Sequence, residues 1–271
     1  MVFMDKKISI LYITYNRLSY TKETLPALVE NAGVDFNLTI VDNGSTDGTV
    51  DYLKKFISNN RKIVSSVHFY DRNLGISQPT NEFWRECRSE FLGKVDNDTL
   101  CPQGWLARLL EAHMQSKQIG VVGGFHFHPE YVDMAGLEQR VTTIDGVDLV
   151  PDAFIGGCCY LFRRKVQRAQ GFLKVGSRLT HGWTEYQEGI FLKQGLVNGY
   201  IWPLLFVEHF DDPLSDHNLS ITENLETSII SMREKGILPD LDSQLEWYKR
   251  DAARVVSGIS ILRILKNRCV M

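Results

Sequence analysis

The chain begins with a short β-rich apolar run, Ile8-Ser9-Ile10-Leu11-Tyr12-Ile13-Thr14, which breaks at Tyr15-Asn16-Arg17. Leu18, Leu25, Leu28 and Val29 then recur at helical spacing across 18–31. The alternation repeats. Leu38-Thr39-Ile40-Val41 predicts a second strand that ends in the turn-rich cluster Asp42-Asn43-Gly44-Ser45-Thr46-Asp47-Gly48. Val50, Leu53, Lys54 and Ile57 predict an amphipathic helix. Ser65 to Tyr70 predicts a third strand, 76–90 a third helix and Phe91 to Val95 a fourth strand. Strands alternating with helices predict an α/β fold, a mostly parallel sheet covered on both faces. Such sheets bind ligands at the carboxyl ends of their strands. Here those ends are Thr14-Tyr15-Asn16, Asp42-Asn43, Asp71-Arg72-Asn73 and Asp96-Asn97-Asp98.

The second half is less regular. Ile119 to Gly124 reads as a buried strand, and 125–153, with His126 and His128, as hairpins or loop. Phe154 to Arg163 is apolar and then basic. Residues 185–200 predict a helix, and Ile201 to Val207 a strand ending at Glu208-His209-Phe210-Asp211-Asp212-Pro213. The tail reads as helical, with capping-box patterns at Ser220-Ile221-Thr222-Glu223 and Ser243-Gln244-Leu245-Glu246. No repeat or flexible linker divides the chain, so a core over 1–215 and a helical extension over 216–271 are expected to pack as one body.

Composition narrows the function classes. The 271 residues carry a formal charge of −3, which excludes a generic nucleic-acid coat and leaves no nucleic-acid partner expected. Five cysteines with no Cys-x-x-Cys spacing argue against a disulfide framework or a zinc ribbon; the adjacent Cys158 and Cys159 read as buried thiols. No apolar run approaches the ~20 residues that span a bilayer, and the start is no signal peptide, so a cytoplasmic protein is expected. Residues 249–271 hold six basic residues and one acidic one, with Val255, Ile259, Leu262 and Leu265 as a candidate apolar stripe. Peripheral contact with an anionic membrane is one reading. A helix packed on the body or at a homodimer interface is the favoured one.

Asp96-Asn97-Asp98 carries the strongest local chemistry. Two carboxylates one residue apart, at the end of a buried strand, suit a hard divalent cation that a substrate phosphate also ligates. Taken alone, the triplet reads as a solvated turn. Its company changes that. Thr14-Tyr15-Asn16-Arg17, Val41-Asp42-Asn43-Gly44-Ser45-Thr46-Asp47-Gly48-Thr49, Asn73-Leu74-Gly75 with Asn81, Asp96-Asn97-Asp98 and Trp105-Leu106 follow in order at sensible spacing. Over the first ~210 residues the chain resembles a family 2 glycosyltransferase of the GT-A fold.

The resemblance implies a Rossmann-like core whose 1–100 half binds a nucleotide and whose 101–215 half binds an acceptor. It also implies roles. Asp42 accepts a hydrogen bond from a uracil or thymine ring, with Thr14, Tyr15, Asn16 and Asn43 around the nucleoside. Asn73 and Gly75 lie near the base and ribose. Asp96 faces the ribose and a Mn²⁺ or Mg²⁺ ion, Asp98 ligates that ion directly, and Lys94 and Asn97 stand close by. His209 either completes the metal shell or makes a structural hydrogen bond. A His126–His128 metal pair is a remote alternative. Gly156 and Gly157 leave room for a donor sugar, and Trp183, with Tyr186 and His181, reads as an acceptor platform or as core.

A carboxylate must take the proton of the acceptor hydroxyl as the sugar is inverted. The resemblance puts it at Glu188, with Gln187 where the family usually has an acid; Glu185 is the alternative. Phe172-Leu173-Lys174 also departs from the family's usual Phe-Asp-Glu. The expected donor is a UDP- or dTDP-sugar and the expected acceptor a glycan or a lipid-linked sugar. The rivals are a binding module without catalysis and a sugar nucleotidyltransferase, for which no Gly-rich phosphate loop follows the first strand.

Overall fold

The computed structural model describes residues 7–176, 182–219 and 240–261, with scattered positions between 229 and 238. The expectations placed on His181, the Ser220–Glu223 cap, Leu262 and Leu265 lie outside the described residues. The first half alternates as expected: β1 (Ile8–Thr14), α1 (Leu18–Glu30), β2 (Asn37–Asp42), α2 (Thr49–Asn59), β3 (Val64–Phe69), α3 (Ser77–Glu86) and β4 (Phe91–Asp96). There follow β5 (Thr99–Leu100), α4 (Trp105–Gln115), β6 (Ile119–Gly123), α5 (Met134–Glu138), the hairpin β7 (Thr142–Ile144) and β8 (Val147–Pro151), and β9 (Cys159–Arg163). The chain continues through α6 (Arg164–Gln170), α7 (Trp183–Gln194), β10 (Val197–Ile201), β11 (Glu208–His209) and α8 (Leu241–Ser257).

The described residues form a nine-stranded sheet of order β3-β2-β1-β4-β9-β6-β10-β8-β7. The β3-β2-β1-β4 half is parallel, and β9 runs antiparallel to both β4 and β6. Every residue of β1 is buried, because helices cover both of its faces. One core cluster includes Ile10, Ile40, Trp105 and Leu109; the other, on the opposite face, includes Leu11, Phe162, Tyr186 and Tyr200. All four parallel strands deliver their polar carboxyl ends to one edge.

Two expectations in the second half are corrected. The helix expected over 185–200 ends at Gln194, because Gly195 takes a left-handed φ of +65°. The strand expected over 201–207 lies earlier, at Val197–Ile201, where it pairs with β6 and β8. Asn198 anchors it: its side-chain oxygen accepts from Val121 N at 3.0 Å. Past Ile201 the chain leaves the sheet at Trp202-Pro203, where proline has no N–H for a ladder.

α8 packs its apolar face on the body. Tyr248, Ala252 and Val255 are buried, while Ile259 stays 55% exposed. Of the candidate stripe, Val255 therefore faces the body and Ile259 faces outward. Among the described residues no helix is long and apolar enough to cross a membrane.

Candidate active site

The turn after β2 is built by its own polar side chains. Asp42 Oδ1 accepts from Gly44 N at 3.1 Å and Ser45 N at 2.9 Å. Gly44 sits at φ +86°, and a Cβ there would meet the Arg72 backbone at 2.8 Å, so only glycine fits. Asp47 takes Thr49 N at the start of α2 and Leu18 N at the start of α1, tying both helices to one carboxylate. Asn16, at φ +47°, accepts from Thr46 N at 2.7 Å. Asn43 holds the next loop by donating to Gly75 O at 3.0 Å, and Asn73 Oδ1 accepts from Gly75 N at 2.8 Å. Asn97 donates to Thr14 Oγ1 at 3.0 Å, fastening the ends of β1 and β4 together. Tyr15 is half-buried beside them. Asp42 is fully buried, and its Oδ2 has no hydrogen-bond partner. Thr14, Tyr15, Asn16, Asp42, Asn43, Asn73 and Gly75 thus gather at one edge, with most of their polar groups engaged in shaping it.

A two-stranded antiparallel ribbon builds the centre. β11 pairs with β5, opposing His209 to Thr99, and Phe210 N donates to Asp98 O at 2.8 Å. This ribbon carries His209 across some 110 residues of sequence to Asp98: His209 Nε2 lies 3.8 Å from Asp98 Oδ1. The other Asp98 oxygen pairs with Arg17, which also reaches Asp211 at 2.8 Å. Asp96 pairs instead with Lys94, whose Nζ also donates to Gly157 O at 2.8 Å.

The two aspartates therefore differ. Burial raises the pKa of both. At Asp98 the charges of His209 and Arg17 outweigh burial and hold the carboxyl below its ordinary value. At Asp96 burial wins over the nearby Lys94, and the pKa lies above the ordinary value.

These residues fit a divalent ion. A carboxylate and an imidazole side by side, Asp98 and His209, are a donor pair that would suit Mn²⁺ or Mg²⁺. Among the described residues no three His, Cys, Asp or Glu side chains form a ready-made cage. An ion there would draw its remaining ligands from water or from a substrate's phosphate oxygens.

Two cavities meet at this centre. One, of about 280 Å³, is lined by Ser77, Thr80, Lys94, Asp96, Gly157 and Trp183, among others. The second, of about 490 Å³, runs past His128, Phe206 and Asp212. His126 and His209 line both. Gly156 is needed here, since a Cβ would meet the His126 ring at 2.6 Å. Trp183 stacks on Tyr160 at 4.2 Å and donates to Ile155 O at 3.1 Å, so it is core on one side and cavity wall on the other. His128 Nδ1 accepts from Glu130 N, and its ring packs on Tyr131.

The candidate bases lie apart from these walls. Trp183 and Thr184, at the start of α7, line the smaller cavity; Glu188 is half-buried one turn on, and Glu185 is exposed. Gln187 is buried and clamps Ile155, accepting from its N at 2.8 Å and donating to its O at 2.9 Å. Sequence reasoning assigned no role to Arg17, Asp211 or Tyr248. Arg17 stands inside a recognised motif, but nothing local reveals partners 81 and 194 residues away.

With this geometry in place, comparison with known proteins decides the family. Residues 9–169 match Glycosyl transferase family 2. The chain belongs to that family. Within it, the chain is 28% identical over 120 residues to the uncharacterised glycosyltransferase YfnE of Bacillus subtilis (strain 168), covering 44% of this chain and 30% of that protein. It is 24% identical over 110 residues to the putative teichuronic acid biosynthesis glycosyltransferase TuaG of the same organism, covering 40% and 42%. The matched region thus spans less than half the length of these relatives.

Solved structures show the same GT-A architecture at 15% identity. The mannosyltransferase PcManGT from Pyrobaculum calidifontis, in complex with GDP-Man and Mn²⁺, aligns with a TM-score of 0.60 over 98% of this chain and 81% of its own. The TarS 1-349 structure of S. aureus with UDP-GlcNAc aligns with a TM-score of 0.58 over 75% and 58%.

Proposed function

We propose that this family 2 protein is an inverting, metal-assisted glycosyltransferase that moves a sugar from a UDP- or dTDP-sugar to an acceptor hydroxyl, in polysaccharide or glycolipid assembly. The observation that carries the reading is His209, which lines both cavities and stands 3.8 Å from the buried Asp98. In this reading the smaller cavity takes the diphosphate and donor sugar, and the larger one brings the acceptor to the same centre. A glycan or a lipid-linked sugar is the acceptor class.

The residue roles follow from position. Asp98 and His209 hold the ion, and Asp96, neutralised by Lys94, is left to face the ribose. The ion, when bound, offsets charge on the departing diphosphate. Asp42 Oδ2, without a protein partner, is the acceptor that a base N–H would satisfy. Gly156, Gly157 and Trp183 shape the sugar-facing wall. Glu188 is four residues from Thr184 and so shares its helix face, which favours it over Glu185 as the base.

One observation supports a second reading, a binding module without catalysis. Gln187, where the family usually has an acid, is locked in structure rather than free for chemistry. Measuring UDP and dTDP release from a panel of nucleotide sugars separates the two. Glu188→Gln is expected to lower turnover by about 100-fold or more, and Glu185→Gln by less than about threefold. The reverse order moves the base to Glu185. No turnover from any donor by a protein that binds the nucleotide leaves the binding module.

A further inference from the structure

His209 can act on an ion only in one protonation pattern. A neutral imidazole carries a single ring proton. For Nε2 to offer its lone pair toward the ion shared with Asp98, that proton must sit on Nδ1. The Tyr248 hydroxyl oxygen lies 3.3 Å from His209 Nδ1. We infer that Tyr248, on the C-terminal helix α8, is a positioning residue of the ion site: it accepts the His209 Nδ1–H and so keeps Nε2 as a ligand. This rests on the ion of the proposed function and goes beyond it, because it makes the extension helix part of the centre.

The surroundings hold the tyrosine in place. Tyr248 is 5% exposed. Its ring stacks on Tyr131 at 6.1 Å and 25°, and the Tyr131 hydroxyl donates to Asp212 Oδ1 at 2.8 Å. Asp212 N in turn donates to His209 O at 2.9 Å. The loop of contacts His209, Tyr248, Tyr131, Asp212 closes on itself, so the ring of His209 and the helix that steadies it are oriented together. α8 is fastened further along: Ser260 donates to the buried Asp152 at 2.7 Å, and Arg140 donates to Val255 O. A buried hydroxyl without a partner costs stability, so packing alone would favour phenylalanine at 248. Partners of this kind on the second nitrogen of a metal-bound histidine typically change metal affinity 10- to 100-fold.

Two measurements on the full chain test this. In ¹⁵N-histidine NMR of the metal-free protein, His209 is expected to carry its proton on Nδ1, and Tyr248→Phe to shift it toward Nε2. In electron paramagnetic resonance titrations with UDP present, Tyr248→Phe is expected to raise the Mn²⁺ Kd about tenfold or more. Its Tm stays close to wild type, because the ring remains. A wild-type His209 protonated on Nε2 overturns the inference without any variant. Wild-type Mn²⁺ affinity in a folded Tyr248→Phe overturns it alone. A wild type with no affinity for Mn²⁺ overturns the ion reading along with it.

Discussion

Asp96 and Asp98 stand one residue apart in one motif, yet the fold gives them opposite electrostatics. Asp98 meets Arg17 and His209; Asp96, half-buried, meets the buried Lys94. Removing one partner of such a pair strands the other charge. Lys94→Met is therefore expected to lower stability by about 2 kcal/mol in denaturant unfolding. Lys94→Met with Asp96→Asn is expected to recover most of that loss, since no charge is left unpaired. At this scale the motifs were legible, because Asp, Asn and Gly at strand ends have recognisable chemistry. The partners were not. The periodicity of β4 left the face of Lys94 open, and only the ribbon of β5 and β11 reveals which atom of Asp98 His209 meets.

At the scale of elements, the first half was readable because each strand and helix carries its own apolar period and its own turn residues. The second half departs at α7 and β10, where Gly195 cuts the helix short and the strand borrows residues that read as helical. Gln187 marked a departure from the family pattern, and the structure gives it a physical cause: both of its amide groups serve the backbone of Ile155. Gln187→Leu should leave those two groups unsatisfied and cost about 2 kcal/mol, measured by chemical denaturation. A second element shows in the pH dependence. His113 on α4 is buried against Leu161 O, and burial pushes its pKa down to about 4. Between the unfolded value near 6.5 and about 4, the unfolded chain binds the proton and the folded one does not. This contribution is complete above pH 6.5 and is lost as pH falls toward 4. Its share of the stability loss between pH 7 and pH 5 is about 2 kcal/mol, and His113→Gln should remove that share in unfolding curves at the two pH values.

For the whole molecule, the extension is the feature that the sequence left ambiguous. A basic amphipathic helix reads alike whether it meets lipid or protein; in α8, Tyr248, Ala252 and Val255 are buried against the body. Val255→Asp places a carboxylate in that seam and is expected to cost about 3 kcal/mol. If α8 serves the centre, the same change weakens Mn²⁺-dependent UDP binding, which calorimetry on the folded fraction would detect. The overall architecture was legible, because alternating strands and helices admit few topologies. The junction of the two cavities was not, since it is made by residues from β4, β11, α7 and the 126–128 segment.

The central claim is that Asp98 and His209 hold an ion that binds the nucleotide. The most direct measurement is a thermal-shift titration of UDP, dTDP and GDP, with and without Mn²⁺, on wild type, Asp98→Ala and His209→Ala. A ligand at 100 times its Kd stabilises the folded state by about 2.7 kcal/mol, a shift of several degrees. UDP or dTDP is expected to raise the wild-type Tm only with Mn²⁺, and both variants are expected to lose the shift while remaining folded. A folded wild type that no nucleotide stabilises, or an Asp98→Ala variant stabilised as much as wild type, would contradict the account.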